Sequence, residues 1–170
     1  MRIIVNDANI LIDLVKLDIL FHFFQLPFSF HTTAIILDEI DEEQFELLLP
    51  FIENNQLIIE NFSGEEMTLV GQYFSDKPKL SIADCSAVFC AQKLEADLIT
   101  SDKNLRHFAK SKAVTIRGHL WVLDMLFSYA IMTGIEVTTL LHRLQTEINP
   151  RLGLPPTACE ELKQKWDDNK

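Results

Sequence analysis

The chain has 170 residues, of which 48% are hydrophobic and 24% charged, so it is long enough to bury one substantial core as a single globular domain. No apolar run reaches the length of a membrane span, and the start MRIIVNDANIL is too polar for a signal peptide. The net charge of −10 argues at first against a nucleic-acid partner, because phosphates repel acids.

Short apolar strands alternate with helical patterns along the first 118 residues. The segment RIIV predicts a buried strand, and apolar residues then recur at helical spacing from Ile10 to Phe21, with Asp18 as a candidate cap of a second helix. Further strands are predicted at FSF, QLIIENF, residues 97–100 and AVTI, and further helices at TTAIILDEI, EEQFELLLPFIENN, SGEEMTLVGQYFSD, residues 81–95 and residues 103–111. This alternation predicts an α/β fold with a mostly parallel sheet covered on both faces.

The pattern becomes entirely helical after residue 118. HLWVLDMLFSYAIMTGI, EVTTLLHRLQTEI and PTACEELKQKWDD all predict helices, punctuated by Gly134 and Gly153. We therefore divide the chain into an α/β core, residues 1–118, and a helical C-terminal extension, residues 119–170, packed on the same domain.

Four acids lie at the ends of elements that a parallel sheet would bring to one edge. Asp7 and Asp102 each follow a predicted strand, and ligands bind outside the carboxyl ends of such strands. Asp84 begins one helix and Glu39 ends another. Gathered together, these carboxylates would repel one another unless they were protonated or bound to a cation. Oxygen ligands suit Mg²⁺ or Mn²⁺, and two such ions can promote phosphodiester cleavage.

Each acid also has a local explanation. Asp84 lies three residues after Ser81, as in a capping box, and Asp7 and Asp102 are placed to cap the helices that follow them. Glu39 is one of several neighbouring acids that suit a solvated surface. Taken singly, these local roles are the commoner ones, and only the joint pattern indicates a site.

Three segments together resemble the PIN domain, a family of metal-dependent nucleases: IIVNDANILIDL, TTAIILDEI and LSIADCSAVFCAQKLEADLITSDKNLRHFA. The family has an Asp after the first strand, a Glu ending a helix, an Asp opening a helix and a (T/S)xD motif after a later strand. These fall on Asp7, Glu39, Asp84 and Asp102, which are separated by 32, 45 and 18 residues. The resemblance covers residues 2–117 and implies a three-layer PIN-like fold and hydrolysis of single-stranded RNA.

The resemblance also implies a role for each residue of the site. Asp7, Asp84 and Asp102 would hold Mg²⁺ or Mn²⁺, and Glu39 would ligate the ion or orient the attacking water. The predicted substrate-binding residues are Asn9, Thr100, Ser101, Lys103, Asn104 and Arg106. Asn104 departs from the pattern, because many PIN sequences have an acid at that position; an amide adds no charge, which disfavours full occupancy of a second metal position.

The predicted helical extension is similar to that of a prokaryotic PIN subgroup. Many PIN proteins are toxin ribonucleases, so the resemblance allows a toxin role with a small antitoxin protein as partner, and a homo-oligomer. Two alternatives stay open. In one, the acids are caps and the chain is a non-catalytic acidic domain that binds a basic protein. In the other, it is a different metal-dependent phosphohydrolase.

The distribution of charge along the chain weakens the argument against a nucleic-acid partner. Residues 77–119 hold 8 Lys/Arg and 4 Asp/Glu, whereas residues 1–76 hold 2 and 14. A solvated mixed surface accounts for this difference equally well.

The three cysteines are odd in number and lack the spacing of a zinc site. We therefore expect free thiols in a reducing compartment, which favours a cytoplasmic protein without a membrane partner.

Overall fold

One five-stranded sheet forms the centre of the computed structural model, which describes residues 1–77 and 79–167. Its strands are β1 (Ile3–Asn6), β2 (Ser29–Thr33), β3 (Leu57–Glu60), β4 (Asp97–Ile99) and β5 (Ile116–Arg117). The spatial order is β3-β2-β1-β4-β5, and every pair is parallel. The predicted α/β class with a parallel sheet is confirmed.

Helices make all the connections between these strands. They are α1 (Ala8–Leu17), α2 (Leu20–Phe23), α3 (Ala34–Leu37), α4 (Glu42–Glu53), α5 (Gly64–Asp76), α6 (Ile82–Lys93) and α7 (Lys103–Ser111). The chain moves outward from β1 to β3 and then returns to β4 on the other side of β1. Because such crossovers are right-handed, the helices before and after β3 cover opposite faces of the sheet. The reversal makes the carboxyl ends of β1 and β4 a topological switch point.

Two local predictions near the first helix were wrong. Asp18 does not begin the second helix; it ends α1 in the left-handed conformation, with φ 59°, and its N–H bonds to carbonyls of the last turn. Asp tolerates this conformation better than most residues. Because the turn breaks the helical periodicity, Phe21 is 68% exposed rather than part of the predicted apolar face.

The last predicted strand is displaced along the chain. The sequence predicts a strand at AVTI, residues 113–116, but the strand β5 consists of Ile116–Arg117. Ala113 adopts a positive φ of 58° in the turn after α7, so the chain becomes extended only after it.

The C-terminal part is helical and packs on the same core. It consists of α8 (His119–Ser128), α9 (Gly134–Arg143), a π-helical turn (Leu144–Ile148) and α10 (Pro156–Asp167). Val122, Leu126, Leu141 and Trp166 belong to the buried apolar cluster that also contains the strands. The domain boundary at residue 118 stays a prediction, and residues 168–170 of the predicted extension lie outside the described residues.

Two expectations from composition can be compared with the described structure. None of its helices is long and apolar enough to cross a membrane. Cys85, Cys90 and Cys159 are all buried and free of disulfides, as predicted.

The close contact between α9 and α10 leads to a stability prediction. A Cβ at Gly134 would overlap the main-chain carbonyl oxygen of Trp166. We expect Gly134→Ala to lower the free energy of unfolding by about 1–3 kcal/mol, the usual effect of overpacking, as measured by urea denaturation.

Gly71→Ala is the matched control, because a Cβ at this position in α5 meets no atom within 4 Å. That variant should instead gain about 0.5–1 kcal/mol from the better helix former. A Gly134→Ala variant as stable as Gly71→Ala would contradict the packing of α10 on α9.

Candidate metal-binding active site

Asp7 occupies the switch point between β1 and β4. Its main-chain N–H donates to the carbonyl of Ile99 at 3.1 Å, which extends the pairing of the two strands. Its carboxylate caps α1 through a 2.8 Å bond from the N–H of Ala8, and its second oxygen accepts the hydroxyl of Thr100 at 2.7 Å. The residue is only 3% exposed. The fold therefore holds this carboxylate in a buried, fixed position.

Thr100 joins Asp7 to the turn that follows β4. Its hydroxyl oxygen also accepts the N–H of Asp102 at 3.1 Å. Asp102 in turn caps α7 by accepting the N–H of Leu105 at 2.7 Å. A 3.4 Å bond from the N–H of Ser101 to the Asn9 side chain adds a second link. Three of the predicted substrate-binding residues thus shape the turn, and their contact with substrate stays a prediction.

Asp84 reaches the same region from the start of α6. It forms a reciprocal capping box with Ser81, with bonds of 2.8 and 3.0 Å. A 2.8 Å hydrogen bond between the hydroxyls of Thr33 and Ser86 ties α3 to α6. Glu39 lies two residues after α3, is exposed and is hydrogen-bonded by Ser81.

The charges of the four acids influence one another. Burial raises the pKa of Asp7 to about 7, and the negative charges of Asp84 and Glu39 add to this effect, against hydrogen bonds from Thr100 and Ala8. Burial also raises the pKa of Asp84, with a further contribution from Asp102. The pKa of Glu39 is raised by desolvation and by Asp84. Asp84 therefore lies close enough to each of the other three predicted acids for their charges to interact.

No basic side chain in the described part of the chain forms an ion pair with any of these four acids. The described residues also contain no group of three or more His, Cys, Asp or Glu placed to hold a metal ion. An anionic set of oxygen donors still suits Mg²⁺, which keeps several waters and takes further ligands from substrate phosphate.

The three predicted site residues on α7 have different surroundings. Lys103 is exposed and lines a cleft of about 280 Å³ together with Thr100 and Ser101. Arg106 donates from Nη1 to the carbonyls of Thr100 at 2.8 Å and Arg117 at 3.0 Å, so it links the ends of β4 and β5. Asn104 lines a different cleft. Binding of substrate by these three residues stays a prediction.

Sequence reasoning missed a buried polar cluster beside the site. Nε2 of His119 lies 2.8 Å from a carboxylate oxygen of Asp13, and the side-chain amide of Asn149 donates to the same oxygen at 3.1 Å. More than a hundred residues separate Asp13 from His119 and Asn149, so no local sequence motif predicts the contact. The cluster fixes the C-terminal part of the chain against α1.

Comparison with known families identifies the domain. The DUF3368 family model, described as a PIN domain, matches residues 3–168. The chain belongs to the PIN-domain family. The predicted resemblance is confirmed, and the match continues past β5 through the C-terminal helices of this PIN domain. No curated protein matches the chain.

Because the pKa of Asp7 is raised, replacing Asp7 by a neutral residue should stabilise the folded state, and the size of this gain should depend on pH. Since the folded-state pKa of about 7 exceeds the ordinary value of 3.8, the folded state binds the proton more tightly. Protonation of Asp7 therefore contributes folding stability that is fully present below about pH 4 and is lost as the pH rises to about 7. Asp7→Asn in EDTA should therefore stabilise the PIN domain more at pH 8 than at pH 4.5, by on the order of 1–3 kcal/mol in urea denaturation.

Asp41→Asn is the matched control, since Asp41 caps α4 at an exposed position. Asn caps as well as Asp, so that variant should change stability little at either pH. If Asp7→Asn were equally neutral at both pH values, Asp7 would be an ordinary helix cap.

Proposed function

We propose that this PIN domain is a divalent-metal-dependent nuclease that hydrolyses phosphodiester bonds within single-stranded RNA. The observation that carries the proposal is the burial of Asp7 beside Asp84 and Glu39 at the switch point of the sheet, with no ion-pair partner in the described residues. Burying uncompensated carboxylates is costly, and a bound cation removes that cost. The family supplies the second support, because a PIN domain has a nuclease-type fold.

Each residue has a distinct task in this proposal. Asp7, Asp84 and Asp102 hold the divalent ion, which when bound supplies charge neutralisation and a more acidic water. Glu39, the exposed member, orients the attacking water or completes the ligand set. Thr100 keeps two of the aspartates in place through its bonds to the Asp7 carboxylate and the Asp102 N–H.

RNA is favoured as the substrate by the family and by the local excess of basic residues in 77–119. Five lysines of this stretch are exposed, of which Lys93 pairs with Glu66; the other four are Lys77, Lys79, Lys103 and Lys110. Such charges bind the phosphate backbone without regard to sequence.

The family resemblance extends the proposal to a cytoplasmic toxin that pairs with a small antitoxin protein, and to a homo-oligomer. Co-expression with the product of the neighbouring reading frame tests this extension. Formation of a stable complex that suppresses RNA cleavage would support it, whereas two proteins that elute separately would refute it.

One observation favours the alternative of a non-catalytic acidic interaction domain. Asp7, Asp84 and Asp102 all take part in helix capping, as the local interpretation of each residue predicts. Capping alone does not require a buried aspartate, however, nor four acids whose charges couple.

Metal binding should stabilise the folded state. With Mg²⁺ or Mn²⁺ at ten times its dissociation constant, binding contributes about 1.4 kcal/mol and should raise the melting temperature by roughly 2–5 °C. The shift should disappear in Asp84→Ala, which removes a cluster carboxylate and a capping box. Glu136→Ala removes a comparable capping box from α9 and should keep the shift. Loss of the shift in both variants, or in neither, would argue against a metal site at Asp84.

Cleavage should depend on the acids of the cluster and on the ion. Glu39→Gln should reduce cleavage of a labelled single-stranded oligoribonucleotide at least about 100-fold, since even outer partners of a metal site contribute about 10- to 100-fold. Asp38→Asn, at the exposed neighbouring position, should leave the rate unchanged. EDTA should abolish cleavage. RNA that stays intact in both Mg²⁺ and Mn²⁺ would leave the interaction domain as the better description.

A further inference from the structure

Two buried hydroxyl groups join the helix that leads to Glu39 to the helix that carries Asp84. The hydroxyl oxygens of Thr33, at the end of β2, and Ser86, in α6, lie 2.8 Å apart, and both residues are 0% exposed. A buried hydroxyl is costly unless it is hydrogen-bonded. The further partners of this pair therefore show which parts of the chain it holds together.

The direction of each bond follows from these partners. The Ser86 hydroxyl donates to the carbonyl of Ala83 at 2.7 Å. Because a hydroxyl has one proton, Thr33 must be the donor in the bond between the two hydroxyls. The Thr33 oxygen in turn accepts the N–H of Ile36 at 3.0 Å, which caps α3. Each hydroxyl thus donates once and accepts once.

The same bonds form a continuous path between two acids of the site. The carbonyl of Ile36 accepts the N–H of Glu39 at 3.1 Å, so two hydrogen bonds separate the main chain of Glu39 from the Thr33 hydroxyl. At the other end of the path, Ala83 directly precedes Asp84. Helix α3 has only four residues, and so short a helix is not stable by itself. Its position depends on bonds of this kind to the rest of the domain.

We propose that Thr33 and Ser86 are positioning residues of the nuclease site, whose hydroxyl bond sets the place of Glu39 relative to Asp84. Catalytic groups need to be held within about 0.5 Å of their productive position. The side chain of Glu39 is exposed, so packing around it contributes little to that precision. This inference rests on the proposed nuclease function and adds two fully buried residues that act through the main chain of α3 and α6.

Replacing Ser86 tests the pair from the side of α6. Ser86→Ala removes the acceptor of the bond and introduces the best helix former. We expect kcat for cleavage of the labelled single-stranded oligoribonucleotide to fall about tenfold, as for other outer partners of a metal site. The KM should stay the same, because the exposed lysines that bind the RNA backbone are unchanged.

Ser111→Ala is the matched control for this change. The Ser111 hydroxyl also donates to a carbonyl three residues earlier, that of Phe108, but it lies at the opposite end of α7 from Asp102. This variant should keep both kcat and KM, measured at a temperature at which circular dichroism shows each variant to be folded. Equal kcat values for Ser86→Ala and Ser111→Ala would overturn the proposal.

Two substitutions of Thr33 separate the hydroxyl from the shape of the side chain. Thr33→Val keeps the branched shape without the hydroxyl and should lower kcat about as much as Ser86→Ala. Thr33→Ser keeps the hydroxyl and should retain most of kcat. Since both losses break one bond, the double variant Thr33→Val/Ser86→Ala should be about as slow as the slower single variant. A Thr33→Ser variant as slow as Thr33→Val, or effects that multiply, would contradict the assignment.

Amide hydrogen exchange of the metal-free chain in EDTA gives a readout that does not require cleavage. In Thr33→Val, the N–H groups of Ile36 and Glu39 should exchange about tenfold faster, because the first loses its acceptor and α3 opens more often. The N–H of Leu105, which bonds to the carboxylate of Asp102, should exchange at the wild-type rate. Unchanged exchange at Ile36 and Glu39 would overturn the proposed link.

The two proposals can fail independently. RNA left uncut by the wild-type chain would refute the nuclease function, and the exchange rates would then decide by themselves whether the hydroxyl pair holds Glu39. Cleavage by the wild-type chain at a rate that Ser86→Ala and Thr33→Val leave unchanged would refute only the positioning role.

Discussion

The pairing of β1 with β4 is the constraint on which the site depends. Val5 is in register with Leu98 and Asn6 with Ile99, so the chain leaves both strands at the same edge of the sheet. The N–H of Asp7 extends this ladder to Ile99, and the Thr100 hydroxyl then meets the Asp7 carboxylate. A slip of one residue would turn the side chains of one strand to the opposite face and separate these two groups.

The acids serve two purposes at once. Asp7, Asp84 and Asp102 each bond to main-chain N–H groups at the start of a helix, which stabilises the fold locally. Their common location also brings negative charges together, and burial raises the pKa of Asp7 to about 7. The helix starts hold the carboxylates near one another, so local stability and the mutual repulsion of the charges arise from the same contacts. Conflicts of this kind between local rules and the whole structure are expected at functional sites.

The C-terminal helices pack on the same core as the strands and reach the turn that follows β4. The buried Asp13–His119–Asn149 cluster fixes the start of α8 and the chain beyond α9 against α1. Close packing of Gly134 on Trp166 brings α10 against α9. The segment between these elements forms one wall of the cleft beside Thr100, which the α/β part alone does not enclose. The match of the PIN-domain model to residues 3–168 includes these helices.

Periodicity and spacing in the sequence were enough to predict the parallel α/β class, most helices and the capping positions of three of the four acids, because strand ends and capping residues are local signals. Local signals failed at Asp18 and Phe21, where a left-handed turn broke the helical repeat. They also could not show that Arg106 bonds to the carbonyls of Thr100 and Arg117, or that His119 meets Asp13. The order of the strands decided which acids lie close enough for their charges to interact. The return of the C-terminal segment decided where a cleft opens. Such contacts join residues far apart in the chain, and only the packing of the whole core determines them.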